Sequence, residues 1–396
     1  MGKIIYNKAF DSELPIFAPA KEYGVQWTQS TDTVTRIGDA DGLSRSDFDT
    51  IEPFASMRRC MVNDDRSINY YIDPTDPTKI GEVVNTGSYT TGGTAVYTGA
   101  DGQVMVEIPK FFYKTAEPST GVYQWFVSMD DLDGYDVHPA FVTGASTRDA
   151  IYMSAFEGNV ASSVMRSISG VQPSTSTNVT GGDINDFRTF AQARGTGWQM
   201  QTYRGTQAIQ VLYLIEYADF DTQTTIGRGY VDAASGSANE SINTGATISL
   251  GNASGSATGG TDGLRAISYR GIENFWGNIN KWVDGLNRNG DEVFVANDGF
   301  ESDKFTSPYV LLTDQLDSGV NDFTKDITFP DFLMSERGGS TSSFLYDRFD
   351  TRNTGPRVAH FGGFWDGGSS AGGFSWSLRR DSSRGNRNRG SRLQIL

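Results

Sequence analysis

The sequence predicts an α+β protein in which an N-terminal β-rich domain is followed by a larger domain with two helices around small antiparallel sheets. The 46 glycines among 396 residues indicate many tight turns and close backbone approaches. Short runs of β-branched and aromatic residues recur between turn residues, which is typical of strands. Apolar residues at helical spacing occur in only a few segments. Together these features favour a loop-rich chain with more strand than helix.

The first 115 residues divide into an arm and a small β-rich unit. Residues 1–25 contain Pro15 and Pro19 and few periodic apolar positions, which predicts an extended arm or attachment segment. Residues 26–115 predict the β-rich domain, with strands at 70–72 and 103–109. Pro109 places the second of these strands at a sheet edge or ends it.

Residues 116–396 predict the larger domain. Asp183 is a helix N-cap, followed by four apolar residues at helical spacing. A second helix over 206–217 is apolar nearly all round and is therefore expected to be deeply buried. The Ser, Gly, Ala, Asn and Thr content of 231–263 predicts a long surface loop or a two-stranded excursion rather than core. Short strands are expected at 292–296 and 309–313, and 314–350 is expected to be irregular and polar.

The charge of the chain bears on its partners. The net charge of −15 argues against nucleic acid as a partner and against insertion into, or binding to, an anionic membrane. Residues 361–396 carry six arginines and two aspartates, so this segment is +4 and the remainder is −19. Either these arginines pair with carboxylates of the same fold, or they form a basic patch for an acidic glycan or anionic surface.

The residues that usually carry catalysis or bind metals are scarce. His138 and His360 are the only histidines, and His138 lies in a sequence typical of a packed turn. Cys60 is the only cysteine, so no intrachain disulfide can form. We therefore predict no enzyme activity, no metal site and no cofactor. The N-terminus lacks an apolar signal segment, which predicts synthesis in the cytoplasm without a signal peptide.

The most informative segment is 361–396, which alternates glycine, aromatic and small polar residues before an apolar end. Such residues are favoured on displayed binding surfaces, because aromatic rings give contact area and Ser and Asn give adaptable hydrogen bonds. We expect Trp276 and Trp282 in the core, whereas Trp365 and Trp376 lie among Gly, Ser and Asp and are expected to face outward. The predicted binding residues are Phe364, Trp365, Asp366, Ser369, Phe374, Trp376, Arg379, Arg380, Asn386 and Asn388.

Three segments, in this order, carry a resemblance to known families. Residues 187–198 precede the predicted buried helix. Residues 274–282, Asn-Phe-Trp-Gly-Asn-Ile-Asn-Lys-Trp, resemble the Gly-Asn-Val-Trp-Glu-Trp signature of the formylglycine-generating-enzyme branch of C-type lectin-like folds. The glycine-rich and arginine-rich parts of the C-terminal segment, 362–372 and 386–392, resemble the C-terminal repeat of phage tail proteins and of variable proteins diversified by retroelements. Residues 26–115 resemble the front half of phage tail or baseplate proteins.

The resemblance implies a C-type lectin-like domain at 116–396, carried on a virion at a tail tip or tail fibre. Displayed side chains would bind a bacterial surface receptor, glycan or protein. Other tail or baseplate proteins and two further copies of the chain, forming a homotrimer, are the implied partners. The alternative is a structural tail or baseplate component with the same fold. An oxidase of the formylglycine-generating type is disfavoured, since those enzymes use a cysteine pair in the C-terminal part and Cys60 lies in the other half.

Two departures from the family pattern bear on diversification. The usual Gly-Gly-Ser-Trp has Phe364 in place of serine, and the usual closing Gly-Phe-Arg has Ser391 in place of phenylalanine. Whether this chain is diversified by a retroelement therefore stays open.

Overall fold

The computed structural model describes residues 20–396, in which strands far outweigh helices. The helices are α1 (Ile184–Gln192), α2 (Tyr203–Tyr217) and the single turn α3 (Thr222–Thr225). The strands up to α1 are β1 (Tyr23–Thr28), β2 (Thr33–Gly38), β3 (Arg58–Val62), β4 (Ile68–Ile72), β5 (Ile80–Val83), β6 (Gln103–Pro109), β7 (Phe112–Ser119), β8 (Val122–Ser128), β9 (Asp136–Val137), β10 (Val142–Thr143), β11 (Ser146–Thr147), β12 (Ala150–Ser154), β13 (Asn159–Ala161) and β14 (Val164–Arg166). Those that follow are β15 (Trp198–Met200), β16 (Gly255–Ser256), β17 (Ile267–Tyr269), β18 (Ile272–Glu273), β19 (Asn280–Asn289), β20 (Glu292–Val295), β21 (Val310–Thr313), β22 (Asn321–Ile327), β23 (Met334–Arg337), β24 (Arg348–Asp350), β25 (Pro356–Phe361), β26 (Trp376–Arg380), β27 (Arg389–Gly390) and β28 (Leu393–Ile395).

Three sheets contain most of the strands. A five-stranded sheet has the order β2-β1-β8-β7-β9, and a seven-stranded sheet has the order β15-β28-β12-β6-β3-β4-β5. The largest sheet runs β21-β20-β19-β25-β26-β24-β22-β23, with β27 pairing with β19. Pairing is antiparallel except for β24 with β26 and β19 with β27. The largest sheet positions the candidate functional site.

Strand pairing crosses the boundary predicted at residue 115, which falls inside β7. The five-stranded sheet joins β1 and β2 to β8, and the seven-stranded sheet joins β3–β6 through β12 to the C-terminal strand β28. One hydrophobic core extends from Val25 to Leu378. Of the predicted arm 1–25, residues 1–19 lie outside the described residues and Tyr23 begins β1.

Both predicted helices are confirmed. The Asp183 side chain accepts hydrogen bonds from the backbone N–H groups of Asn185 and Asp186, and Asp186 completes a capping box at the start of α1. The Thr202 side chain accepts a hydrogen bond from the backbone N–H of Gly205 and so caps the start of α2. The side chains of α2 are buried on nearly every face, as its apolar sequence predicts.

One local prediction differs from the structure, and the structure decides between the two alternatives of another. Residues 314–350 are not irregular, since they contain β22, β23 and β24. In β22 the buried residues Thr324 and Ile327 are three positions apart, so no alternation of apolar and polar residues marks this strand in the sequence. Pro109 ends β6 rather than making it an edge strand, because β6 lies between β12 and β3. Within residues 20–396, no helix has the length and apolar character needed to cross a membrane.

Candidate functional site

A cleft of about 360 Å³ lies over the C-terminal part of the largest sheet. It is lined by Asn280, Asn321, Arg348, Asp350, Arg352, His360, Gly363, Phe364, Asp366, Gly367, Ser370, Ala371, Ser375, Trp376, Ser377, Arg379, Arg380, Asn386, Asn388 and Arg389. Its volume is in the range of small-ligand sites. We call it the arginine cleft.

The strand register builds the floor of the arginine cleft. His360 of β25 lies directly opposite Ser377 of β26, and Asp350 of β24 lies beside Ser377 on the other side. At the far edge, Arg389 of β27 pairs in register with Asn280 of β19. Because directly opposed residues of neighbouring strands have side chains on the same face, this register brings together residues distant in the sequence.

One wall is the loop from β25 to β26, residues 362–375, which we call the anchored loop. It begins with Gly362 and Gly363, both with positive φ, at +89° and +74°. A Cβ on Gly363 would lie 2.4 Å from the Cβ of Ala371, so only glycine fits this turn. The loop then makes backbone hydrogen bonds to Gln210, Thr222, Gln223, Val231, Ala233, Gly277, Asn278 and Asp347.

The opposite wall is the loop from β26 to β27, residues 381–388, which we call the basic loop. Its links to the rest of the fold are fewer. The Asn185 side chain donates to the carbonyl of Ser382 at 3.3 Å, and Arg387 donates to the carbonyl of Ala238 at 3.1 Å. Arg384 is exposed at the tip. The backbone of the basic loop also accepts from the N–H groups of Ser176 and Asn280, and the side chains that this loop contributes to the cleft are the amides of Asn386 and Asn388.

The arginine cleft has more positive than negative side chains, with five arginines and two aspartates in its lining. Asp350 accepts hydrogen bonds from both Arg352 and Arg379 at 2.9 Å. In the described part of the chain, the other three arginines, Arg348, Arg380 and Arg389, form no ion pair with a carboxylate.

The expectation that the arginines of the C-terminal segment pair with carboxylates of the same fold is therefore met only in part. That expectation holds for Arg379 through Asp350. Arg392 is instead buried and donates to the backbone carbonyls of Ser154, Glu273 and Asn274. The charge of Arg392 is thus stabilised by peptide dipoles rather than by a hydrogen bond to a carboxylate.

Burial and the arginine charges shift the pKa values of two residues in the cleft, Arg389 and His360. Burial, together with the charges of Arg380 and Arg384, lowers the pKa of Arg389 to about 9. Burial and the charges of Arg389 and Arg380 lower the pKa of His360 well below its ordinary value. His360 is therefore neutral at pH 7, and the positive charge of the cleft resides on its arginines.

Several buried polar atoms in the cleft have no hydrogen-bond partner among residues 20–396. Both ring nitrogens of His360 are unpartnered, as are Oγ of Ser377, Oδ1 of Asn388 and Nε of Arg389. Each of these four side chains is at least nine-tenths buried. Because buried polar groups are normally hydrogen-bonded, this cluster leaves donors and acceptors around one cavity that water or a ligand can satisfy.

Seven of the ten predicted binding residues line the arginine cleft: Phe364, Asp366, Trp376, Arg379, Arg380, Asn386 and Asn388. Asp366 is exposed, and Phe364, Arg379, Arg380 and Asn386 are partly exposed. Ser369 is exposed but faces a neighbouring groove beside Asp221. The sequence therefore located the region of the cleft but not the orientation of every side chain.

The expectation that the aromatic residues of this segment face outward is wrong for three of them. Trp365 is 0% exposed, Trp376 1% and Phe374 2%. Trp376 packs against Tyr203 and Phe361, with ring centroids 5.4 and 4.7 Å away. The surrounding glycines do not mark exposure; they let the backbone turn tightly so that the large rings pack inward.

The segment 361–396 is also less displayed than predicted. Residues 389–395 are buried, because β27 pairs with β19 and β28 pairs with both β12 and β15. The anchored and basic loops, the end of β26 and the terminal Leu396 reach the surface. The core positions expected for Trp276 and Trp282 are confirmed.

Sequence reasoning missed the part of the cleft contributed by β24. Arg348, Asp350 and Arg352 alternate along the chain, and this period of two is a strand signal that the polar composition of 314–350 obscures. His360 and Asn280 carry no local signal, since only the register of β25 and β19 brings them to the floor.

The cleft lacks the arrangement of an activated nucleophile. Although His360 and Ser377 face each other, neither makes the hydrogen bond that would activate the serine. Among the described residues, no group of three or more His, Cys, Asp or Glu side chains is placed to hold a metal ion. The lining instead offers polar and charged groups suited to non-covalent contacts.

The chain matches no protein-family model and no curated protein. Among solved structures it is similar to variants of a protein called Major Tropism Determinant. The M1 variant aligns with 12% identity and a TM-score of 0.31, the P3c variant with 12% and 0.32, and the I1 variant with 13% and 0.31. Each alignment covers 96% of this chain and 73% of the other. Similarity of this degree assigns no function, so the proposal below depends on the cleft.

Proposed function

We propose that this chain is a non-enzymatic adhesin of a phage tail tip or tail fibre, which binds a receptor on the bacterial surface through the arginine cleft. The observation that carries the proposal is the origin of the lining residues. Asn280 comes from the segment that resembles C-type lectin-like folds, and Phe364 and Asn388 come from the two that resemble the C-terminal repeat of phage tail proteins. Segments far apart in sequence thus meet at one cleft.

The architecture we propose for 116–396 is a C-type lectin-like domain that presents this cleft. Helices α1 and α2 and the terminal strand β28 hold the domain together, and the β25–β26 pair with its two flanking loops forms the binding face. A rigid frame that holds irregular functional segments is a common arrangement for binding sites. The arm 1–25 and the β-rich part 26–115 would serve attachment to other tail or baseplate proteins.

Assembly would strengthen binding. Several copies on one particle raise the effective concentration of the cleft at the cell surface, so weak single contacts can give firm attachment. A homotrimer in the virion remains our proposal for that arrangement.

The test is binding of the full-length chain to bacteria. The purified chain, fluorescently labelled, is incubated with a panel of bacterial isolates and cell-bound label is measured by flow cytometry. We expect saturable binding to some isolates. Arg380→Gln should weaken it about tenfold, because a charge-assisted hydrogen bond is lost. Arg337→Gln is the matched control, since Arg337 lies on the edge strand β23, outside the cleft.

Two outcomes decide between the parts of this proposal. Absence of binding to every isolate would contradict the adhesin function. Saturable binding that is equally strong in the Arg380→Gln and Arg337→Gln proteins would keep the adhesin but move its binding face away from the arginine cleft.

A structural tail or baseplate component is the second candidate, and one observation favours it. Val310 and Leu311 on the edge strand β21 are 61% and 51% exposed, and an edge strand offers unpaired backbone groups to a neighbouring chain. A particle reconstruction in which a neighbouring subunit covers the arginine cleft would favour this candidate. A cleft open to solvent on the particle would favour the adhesin.

A further inference from the structure

We infer that the arginine cleft binds an acidic sugar, with the carboxylate held by its unpaired arginines. This inference rests on the proposed function and names the class of receptor that the proposed adhesin would recognise. It depends on three features of the cleft: its free positive charge, its unpartnered polar atoms and its small, partly enclosed shape.

The free charge indicates an anionic group in the ligand. Asp350 satisfies Arg352 and Arg379, but Arg348, Arg380 and Arg389 have no carboxylate partner in the part of the chain that the structure describes. Arg389 is 4% exposed, so its charge is poorly solvated by water. Its guanidinium lies over the Trp282 ring at 5.5 Å but forms no ion pair with the described residues, and a bound carboxylate would supply one through charge-assisted hydrogen bonds.

The remaining lining indicates a polyhydroxylated ligand rather than a bare ion. The cleft offers amides and hydroxyls that both donate and accept hydrogen bonds, together with a partly exposed ring: Asn280, Asn321, Asn386, Asn388, Ser375, Ser377 and Phe364. The neutral His360 adds a ring nitrogen that can accept from a hydroxyl. An aromatic ring packs on the apolar face of a ligand whose edge carries polar groups.

Long polyanions fit the molecule less well. The net charge of the chain is −15, so an extended nucleic acid or an anionic membrane would meet repulsion beyond the cleft. A cleft of about 360 Å³ admits a small anionic group and its immediate neighbours. The local excess of arginine within an acidic protein therefore favours a compact acidic residue at the end or branch of a glycan.

The experiment measures sugar binding to the full-length chain by saturation-transfer NMR. The probes are glucuronic acid, its neutral counterpart glucose, N-acetylaspartate and inorganic phosphate. We expect glucuronic acid to bind, glucose to bind at least tenfold more weakly, and the other two anions to compete poorly. Arg380→Gln should weaken glucuronic acid binding about tenfold or more, whereas the Arg337→Gln control should not change it.

A gain-of-binding variant guards against effects on folding. Asp350→Asn removes the carboxylate that occupies Arg352 and Arg379, so it should strengthen binding of glucuronic acid severalfold. Equal binding of glucose and glucuronic acid, stronger binding of phosphate or N-acetylaspartate, or no response to Arg380→Gln and Asp350→Asn would overturn the inference. If glucuronic acid does not bind but the chain still binds bacterial cells, the acidic-sugar inference is wrong and the proposed adhesin recognises another receptor. If glucuronic acid binds but the chain binds no bacterial cells, the proposed adhesin function is wrong and the sugar site is retained.

Discussion

The anchored loop and the basic loop flank the same cleft but are held in different ways. The anchored loop bonds through its backbone to eight residues from five separate parts of the chain, at distances of 2.6 to 3.0 Å. The backbone of the basic loop bonds to fewer residues outside the loop: it accepts from the Asn185 side chain at 3.3 Å and from the N–H groups of Ser176 and Asn280 at 3.4 and 2.9 Å. The first loop is an extension of the core, and the second rests on its surface.

The difference also appears in the side chains of the two loops. In the anchored loop, Trp365 and Phe374 point into the protein and glycines occupy the tight turns. In the basic loop, Ser383 and Arg384 are exposed. We infer that the anchored loop fixes the shape of the cleft, whereas the basic loop contributes the amides of Asn386 and Asn388 and tolerates replacement of its exposed residues.

The largest expected effect comes from Trp365 in the anchored loop. Trp365→Ala should lower the free energy of unfolding by about 3–5 kcal/mol, because it leaves a cavity in a fully buried site. Urea denaturation followed by circular dichroism measures this loss. The adjacent, partly exposed Phe364 is the control, and Phe364→Ala should cost less than about 1.5 kcal/mol. Equal losses at both positions would mean that the anchored loop is not part of the core.

Gly363 tests the tight turn at the start of the same loop. Gly363→Ala should destabilise by about 2–3 kcal/mol, since it adds a strained left-handed residue and a contact of 2.4 Å with Ala371. Gly355 is a matched control with a φ of +78° and open space around its Cβ position. Gly355→Ala should cost only about 1 kcal/mol. The difference between the two variants isolates the steric contact, and its absence would show that the turn can relax.

Local sequence signals predicted the secondary structure around the cleft better than they predicted the cleft. Helix α1 follows from the Asp183 cap and its apolar stripe, and α2 from its continuous apolar sequence. These signals work because caps and periodicity act within one element. The three strands of 314–350 were missed, since a half-buried strand rich in Asp, Asn and Lys has little apolar contrast.

The cleft itself depends on long-range pairing. Arg379 and Arg380 were predicted from composition, and they do lie at the cleft. His360 and Asp350 reach it only because β25 and β24 flank β26, which no local pattern specifies. The inward orientation of Trp376 was missed for a related reason: glycine-rich neighbours are typical of both exposed loops and tightly packed turns.

His360 lies on β25, the strand before the anchored loop. Its pKa is lowered by burial and then by the charges of Arg389, which directly follows the basic loop, and of Arg380. A folded-state pKa below the unfolded value means that the unfolded chain binds more protons, so stability falls as pH decreases below about 6.5. The loss is at most about 1.4 kcal/mol per pH unit until the folded pKa is reached.

His360→Asn should remove this part of the acid sensitivity. Urea denaturation at pH 7.5 and pH 5.5 should show a smaller drop in the variant than in the native chain. Burial lowers the pKa of His138 as well, so some sensitivity should persist. An unchanged drop would indicate that His360 is solvated or paired in solution and that the arginines do not act on it.

The smallest expected effect is at Arg384, the exposed tip of the basic loop. Arg384→Ala should change the free energy of unfolding by no more than about 0.5 kcal/mol, as for other surface residues. The sign should be slightly stabilising, since the charge of Arg384 opposes those of Arg380 and Arg389. Urea denaturation beside Ser383→Ala, a neutral change at the neighbouring exposed position, separates the charge from the loss of side-chain contacts. A cost approaching that of Gly363→Ala would show that both loops are structural, and the cleft would then have no wall free to vary without loss of the fold.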